Sequence, residues 1–439
     1  MLYNNTTGSN IVARALYGML CLTAALPLTV GSTNAASTES VVYRFPAGAG
    51  GYFPTGRLVE DAHGALYGTT ALGGLMGKGT IFKFVPPTET QKTGQLTVLY
   101  FFSGTPYGAL PQGSLALGAN GVLYGTTPDG GNGAGDGTIF AVQPPTAAKP
   151  YPTGITIHQF NREADGNAPA PGLLIGNNGT LYGAISGGAS GFGSAFGSIF
   201  AFVPAKNQTV WTEKILYAFK GGADGLTPNG SLISDISGAL YGTTLDTAPV
   251  PNAARSGTIF KLTPPPAGKT AWTRTILYRF KGTTDGSIPT APLLRDGKGA
   301  LYGTTKGGNG TVFKLSPPAA GKTVWTLATL YSFKGGADGQ TPSSGVVVDK
   351  TGALTGTTLK GGATGHGTVF KLTPPKTATG KWTKTVLHSF AGGTDGNNPA
   401  SVLISPSGSL FGVTNYGGNT GCASKPYPGG CGTIFKLTE

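Results

Sequence analysis

The heptapeptide Gly64-Ala65-Leu66-Tyr67-Gly68-Thr69-Thr70 is the first copy of a tandem repeat. Its frame returns at intervals of 53 to 61 residues, at Gly121, Gly179, Gly238, Gly299, Gly352 and Gly408. Each copy is followed by a glycine-rich segment and by a second phrase, which in the first unit begins at Gly79. A third phrase, such as Trp272 to Phe280, alternates apolar and polar residues and precedes a turn such as Asp285-Gly286. Four short strands per unit, at a period above 50 residues, are typical of a β-propeller blade.

Seven units predict an all-β, seven-bladed β-propeller of four-stranded antiparallel blades, a single domain over residues 37–439. The 75 Gly and 32 Pro residues break every helical apolar stripe, which excludes helical bundles and doubly wound α/β folds. The third phrase also occurs once before the first full unit, as Val41-Tyr43-Phe45, and is missing from the last unit. We therefore expect the N-terminal strand to close the ring, with 41–45 beside 432–437 as the outer strand of the seventh blade. Closure removes free sheet edges.

These phrases, with the paired glycines such as Gly73-Gly74, resemble the GloVer tandem-repeat family of secreted bacterial proteins. The resemblance covers residues 41 to 439. It implies no established activity, because the family as a whole has none. Members often end in a surface-anchoring tail, whereas this sequence ends at Glu439 after a strand, so we expect release as a free protein.

Residues 1–36 are interpreted as a signal peptide. Arg14 precedes an apolar run from Ala15 to Val30, and small residues suited to cleavage follow. The predicted location is therefore extracellular or periplasmic, without a membrane span after cleavage. Cleavage leaves two cysteines, Cys422 and Cys431, which we predict to form a disulfide.

A ligand site is expected on one face of the ring. In such blades the loop after the second strand and the loop between blades lie on the same side, here called the loop face. Its aromatic residues could stack on sugar rings, or could instead fill gaps in glycine-rich loops. The candidate ligand-binding residues are Tyr52, Phe53, Tyr107, Phe192, Tyr416, Tyr427, His366 and Arg162.

No catalytic set can be assigned from the sequence. His366 is the histidine placed to act as a base, while His158 and His388 replace a tyrosine of the third phrase and are interpreted as packing residues. The Asp-Gly turns, Asp165, Asp224, Asp285, Asp338 and Asp395, are interpreted as turns rather than cation ligands. We expect no cofactor and no metal.

The charge pattern favours a polymer-binding role. The net charge is +13, but part of it is a lysine repeated in the second phrase, as at Lys83, expected along the outer rim. The sequence has no basic run, so nucleic acid is not expected. We predict a monomeric binding protein for a glycan or anionic cell-surface polymer. The alternatives are a carbohydrate-active enzyme, a lyase or hydrolase at the channel mouth, and a purely structural protein.

Overall fold

Seven antiparallel sheets account for the repeat. The computed structural model describes residues 37–439 apart from 134, 148, 188–195, 207–209, 247–255, 283, 290–291, 343, 378 and 423–428. Within these residues, 29 strands form one sheet per unit, which confirms the seven-bladed propeller. The helical segments described are 3-10 turns, at Gly222–Asp224, Gly336–Asp338, Gly393–Asp395 and Thr420–Cys422.

The blades follow the chain from the innermost strand to the outermost. Blade 1 has β2 (Tyr52–Glu60), β3 (Leu66–Leu72), β4 (Thr80–Val85) and β5 (Gln95–Phe101). Blade 2 has β6 (Ala116–Leu117), β7 (Leu123–Thr127), β8 (Thr138–Gln143) and β9 (Thr153–Gln159). Blade 3 has β10 (Asn167–Pro169) and β11 (Leu174–Ile175), both paired with β12 (Leu181–Gly187), then β13 (Ser198–Pro204) and β14 (Trp211–Ala218). Blade 4 has β15 (Leu226–Ser234), β16 (Leu240–Asp246), β17 (Thr258–Thr263) and β18 (Thr273–Arg279).

The remaining blades repeat this order. Blade 5 has β19 (Leu294–Arg295), β20 (Leu301–Thr305), β21 (Thr311–Ser316) and β22 (Thr326–Ser332). Blade 6 has β23 (Val347–Val348), β24 (Leu354–Thr358), β25 (Thr368–Thr373) and β26 (Thr383–Ser389). Blade 7 has β27 (Asn397–Ile404), β28 (Leu410–Tyr416), β29 (Thr433–Thr438) and β1 (Thr38–Arg44). The predicted closure is confirmed, since β1 pairs antiparallel with β29 and Val41 lies opposite Phe435.

Packing explains the recurring phrases. Leu66 and Phe82 are fully buried, and the Phe82 ring lies over Gly68 of the neighbouring strand. A Cβ on Gly68 would lie 2.6 Å from Phe82 Cζ, so glycine is required there. At the loop-face end of the same strands, the hydroxyls of Thr70 and Thr80 are 2.7 Å apart and both buried. The repeat motif is therefore a folding motif, and function must come from positions that vary between blades.

The repeated lysines, expected to extend along the outer rim, pack over tyrosine rings of the neighbouring strand. Lys83 Nζ lies 5.7 Å from the centroid of the Tyr67 ring, whose hydroxyl donates to Asp61 (2.9 Å). Lys261 and Lys314 lie over the corresponding tyrosines at 5.4 Å. The long stem packs on the ring while the ammonium stays near a carboxylate. Much of the periodic positive charge is therefore used within the blades.

Candidate functional site

The inner strands surround a central channel. The channel has a volume of about 620 Å³, and residues of all seven blades line it. The lining consists of small, hydroxyl-bearing and aliphatic residues, together with Gln112, Arg57 and Arg295. Among the described lining residues there is no Asp, Glu or aromatic residue. The channel is therefore positively charged without a lining carboxylate.

Arg57 is the side chain that distinguishes blade 1 in this channel. It directly precedes Leu58, which is buried between blades. The residues at the same position in the other blades are Ser114, Gly172, Ser231, Pro292, Gly345 and Ser401. The N–H of Arg57 donates to Ser114 Oγ (2.9 Å), but its guanidinium forms no hydrogen bond or ion pair with any residue that the structure describes. The side chain remains open to solvent in the lumen, while the surrounding protein lowers the pKa of Arg57 by desolvation.

Seven residues with positive φ form a rim at the loop-face end of the inner strands. Each precedes a proline, and their φ angles lie between 53° and 61°. These rim residues are Phe53, Leu110, Ala168, Thr227, Ile288, Thr341 and Asn398. A residue before proline normally avoids this conformation, so the tertiary structure imposes it.

An inter-blade hydrogen bond supplies that constraint. The N–H of each rim residue donates to a carbonyl before the third strand of the preceding blade, at 2.8 to 3.3 Å. For example, the Phe53 N–H donates to the Cys431 carbonyl and the Asn398 N–H to the His366 carbonyl, both at 2.9 Å. The ring of blades thus holds seven chemically different side chains, all half-buried, at the loop-face end of the inner strands.

Two of the predicted aromatic residues, Phe53 and Tyr416, meet at the junction of blades 7 and 1. The rings of Phe53 and Tyr416 are 5.0 Å apart in an edge-on arrangement. Tyr52 packs against Gly73, where a Cβ would lie 2.8 Å from Tyr52 Cδ1. The prediction that these residues lie in loops was wrong: Tyr52 and Phe53 begin β2 and Tyr416 ends β28. A glycine-rich segment followed by a residue before Pro54 is typical of a turn. In the structure, however, Phe53 has a positive φ and already belongs to strand β2.

The other candidates are spread around the ring. Tyr107 lies in the loop between blades 1 and 2 and is 53% exposed. Arg162 is exposed, with its Nε 3.6 Å from Asp136 Oδ1. Phe192 and Tyr427 lie outside the described residues. The predicted Cys422–Cys431 disulfide is present.

His366 serves as a packing residue in this structure. Its imidazole covers the turn between blades 6 and 7, since a Cβ on Gly392 would lie 2.8 Å from His366 Nε2. Phe196 covers Gly221 in the same way at 3.0 Å. His366 Nδ1 lies 3.2 Å from Thr364 Oγ1, and no described carboxylate forms an ion pair with the ring.

The turn aspartates are engaged at the outer edge of the ring. The Asp338 carboxylate accepts from the Tyr331 hydroxyl (2.7 Å) and the Lys334 N–H (2.7 Å). Asp224 and Asp285 accept from Tyr217 (2.8 Å) and Tyr278 (2.9 Å) in the same way. At the two histidine positions, His158 Nε2 lies 2.6 Å from Asp165 Oδ2, and His388 Nε2 lies 3.3 Å from Asp395 Oδ2.

Each pair of a turn aspartate and an outer-strand Tyr or His also faces one residue of the next blade, and that residue was not identified from the sequence. It lies on the outer strand, four residues before the Tyr or His of that strand. Arg274 faces Tyr217 and Lys384 faces Tyr331, whereas Glu213 faces His158 and Glu39 faces His388. In the outer strands, Glu occurs at this position only in the two blades that come directly after a blade with His. That coincidence is the signal from which the sequence could have predicted the two sites.

The two glutamates have an unusual environment. Burial raises the pKa of Glu39 to about 7; His388 opposes the shift and Asp395 adds to it. Burial likewise raises the pKa of Glu213; the nearby His158 lowers that pKa, and the nearby Asp165 raises it further. In each residue, Oε1 is buried without a hydrogen-bond partner in the described structure.

Fold and channel together define a seven-bladed propeller built from one tandem repeat, with a cationic central channel. The chain belongs to the Gloeobacter/Verrucomicrobia repeat family, whose model matches residues 29–151, 146–327 and 247–439. Among curated proteins, none matches the sequence.

Solved structures with this fold are distant in sequence. PorZ, a surface component of the type-IX secretion system of Porphyromonas gingivalis, is 14% identical with a TM-score of 0.50 over 91% of this chain and 48% of that chain. The PQQ-bound aldose sugar dehydrogenase of Streptomyces coelicolor is 14% identical with a TM-score of 0.43 over 91% of this chain and 98% of that chain. At this identity the likeness to PorZ shows the fold alone. None of the helical segments described has the length and apolar character of a membrane span.

Proposed function

We propose that the protein is a secreted binding protein for an anionic carbohydrate, such as a uronate-containing cell-envelope polymer, which it holds in its central channel. The observation that carries this proposal is the unpaired Arg57 guanidinium in a channel whose described lining has no carboxylate. An accessible cation in a channel whose described lining has no carboxylate attracts anionic ligands. The planar guanidinium fork matches a carboxylate in two parallel hydrogen bonds.

The surroundings of Arg57 suit a sugar. Ser114, Ser231 and Ser401, the counterparts of Arg57 in other blades, place hydroxyl groups along the channel. The Ser231 and Ser401 hydroxyls already donate to the Pro171 and Gly56 carbonyls, so their oxygens are left to accept from sugar hydroxyls. At the rim, Phe53 and Tyr416 supply the aromatic surface on which a sugar ring can stack.

Secretion is part of the proposal. The Cys422–Cys431 disulfide fits an oxidising compartment outside the cytosol. The predicted signal peptide, 1–36, lies outside the described residues. No observation favours the enzyme alternative, because His366 has no carboxylate partner among the described residues.

Calorimetric titration with oligogalacturonate, and with a neutral maltooligosaccharide of equal length, tests this proposal. We expect binding of the uronate oligomer only. Arg57→Ser, which gives blade 1 the residue of blades 2, 4 and 7, should weaken binding about 10- to 100-fold, the value of a charge-assisted hydrogen bond. The matched control is Lys92→Ser, which removes an exposed charge between β4 and β5 on the opposite face and should leave binding within twofold. Equal affinity of Arg57→Ser and wild type would reject the site, and sugar fragments after long incubation would establish the enzyme instead.

A further inference from the structure

We propose that the protein binds two divalent transition-metal ions of the zinc type at the outer edge of the ring, a property separate from carbohydrate binding. Each site is a cluster of one histidine and two carboxylates. Cluster A is His158, Asp165 and Glu213, between blades 2 and 3; cluster B is His388, Asp395 and Glu39, between blades 6 and 7. In each cluster the candidate ligand atoms all lie within 4.8 Å of one another.

The donor set matches the chemistry of such ions. Imidazole nitrogen and carboxylate oxygens bind Zn²⁺ at about 2.0–2.2 Å, with water free to take a fourth position. Tetrahedral bonds of that length place neighbouring ligand atoms about 3.3–3.6 Å apart. In cluster B, His388 Nε2 and Asp395 Oδ2 are already 3.3 Å apart. In cluster A, His158 and Asp165 are 2.6 Å apart, a hydrogen bond that the metal would replace.

A second observation points to a missing cation. Glu39 Oε1 and Glu213 Oε1 are both buried without a hydrogen-bond partner in the described structure. A buried acceptor left unpaired costs about 1–3 kcal/mol, and more when it carries charge. Each glutamate also lies beside a second carboxylate, which adds repulsion. A bound cation relieves both costs at once.

The other blades provide an internal control. Where the outer strand carries Tyr instead of His, the next blade presents Arg274, Lys384, Leu327, Leu96 or Gly154, and never Glu. Arg274 and Lys384 pair with the turn aspartates Asp224 and Asp338. A glutamate therefore occupies this position only where the preceding blade has a histidine, and the two residues together with the turn aspartate form a metal-ligand set. The coincidence occurs twice, in separate parts of the ring.

Metal binding at cluster B would fasten the ring closure. Glu39 belongs to β1, the N-terminal strand, whereas His388 belongs to β26 of blade 6. An ion held by both would join the closing strand to the neighbouring blade. Because such an ion binds the folded chain, it raises the melting temperature in proportion to the logarithm of its concentration.

The test uses untagged, chelator-treated mature protein titrated with ZnCl₂, with metal content measured after gel filtration. We expect two equivalents for the wild type, one for Glu213→Gln or Glu39→Gln, and none for the double variant. Zinc should raise the melting temperature of the wild type by a few degrees and leave that of the double variant unchanged. Glu89→Gln, a change in an exposed loop, is the matched control and should retain two equivalents.

A gain-of-site variant keeps the proposal falsifiable if a loss variant folds poorly. The junction of blades 4 and 5 already has Asp285, and Tyr278→His with Leu327→Glu completes the same set there. We expect a third equivalent of zinc. Zinc bound equally by wild type and by the Glu39→Gln, Glu213→Gln double variant would overturn the proposal, as would retention of less than one equivalent by the wild type.

Discussion

The junction between blades 5 and 6 and the junction between blades 6 and 7 use one backbone arrangement with opposite charges. In the first, Lys384 Nζ lies 2.9 Å from Asp338 Oδ1, and the Tyr331 hydroxyl donates to the same oxygen. In the second, a histidine replaces the tyrosine and Glu39 replaces the lysine. Both junctions keep the turn aspartate, while the two residues around it change together. The two departures from the repeat occur together at both junctions that carry a histidine, which is the basis for proposing a role for them beyond folding.

The largest loss of stability is expected when the glutamate of the second junction is placed in the first. Lys384→Glu places a carboxylate against Asp338 without an imidazole between them, and the Lys384 side chain is only 4% exposed. Breaking a buried pair leaves an uncompensated charge, so we expect a loss of about 3–5 kcal/mol in the free energy of unfolding, measured by denaturant titration.

Two further variants sharpen that result. Lys376→Glu makes the same charge change on an exposed loop and should cost less than 0.5 kcal/mol, a roughly neutral surface effect. Adding Tyr331→His to Lys384→Glu reproduces the second junction, and we expect zinc to restore part of the lost stability. A loss below about 1 kcal/mol for Lys384→Glu alone would show that the charge at this position is not constrained.

A third kind of junction, without charge, should give an intermediate effect. Gly154 occupies the position of Lys384 in blade 2, and a Cβ there would lie 2.2 Å from Tyr100 Cε2. Gly154→Ala therefore overpacks the junction, and we expect a loss of about 1–3 kcal/mol by the same titration. Gly297→Ala is the matched control, because nothing lies within 4 Å of its Cβ. Equal stability of the two variants would mean that the Tyr100 ring moves aside freely.

The fold was predictable from the sequence because its signals are local and repeated. The period of the Gly64 phrase counts the blades, and the stray strand at Val41 identifies the closure. The channel residue Arg57 was not predictable: a register shift between Thr55 and Val59 interrupts the alternation of β2, so spacing does not show which side chains face the lumen.

Clusters A and B, the proposed metal sites, were hidden for a different reason. Glu39 and His388 are far apart in sequence and meet only because the ring closes. Once blade order is known, comparison of neighbouring third phrases finds both glutamates. The histidines alone do not indicate a metal site, because a Tyr-to-His change in an outer strand is equally consistent with a packing role.

The smallest effect is expected on the pH dependence of stability, at the junction of blades 5 and 6 where Lys384 pairs with Asp338. Burial by itself raises the pKa of Asp338, but hydrogen bonds from Lys384, Tyr331 and the Lys334 N–H outweigh it and hold the pKa below its usual range. The unfolded chain therefore takes up the proton first as the pH falls, so this stabilisation is complete above about pH 4 and is lost below it. Asp338→Asn keeps an amide oxygen as acceptor, and Lys384 Nζ still donates to the backbone carbonyl of residue 338, so no charge is left unpartnered. We therefore expect a cost of only about 1 kcal/mol at neutral pH, the net value of an ordinary hydrogen bond. Melting temperatures measured from pH 7 to pH 3 should show a constant gap between wild type and variant above pH 4 and a narrowing gap below. A gap that widened in acid would mean that Asp338 is stabilised in its protonated form, and the two junctions would then differ in geometry as well as in charge.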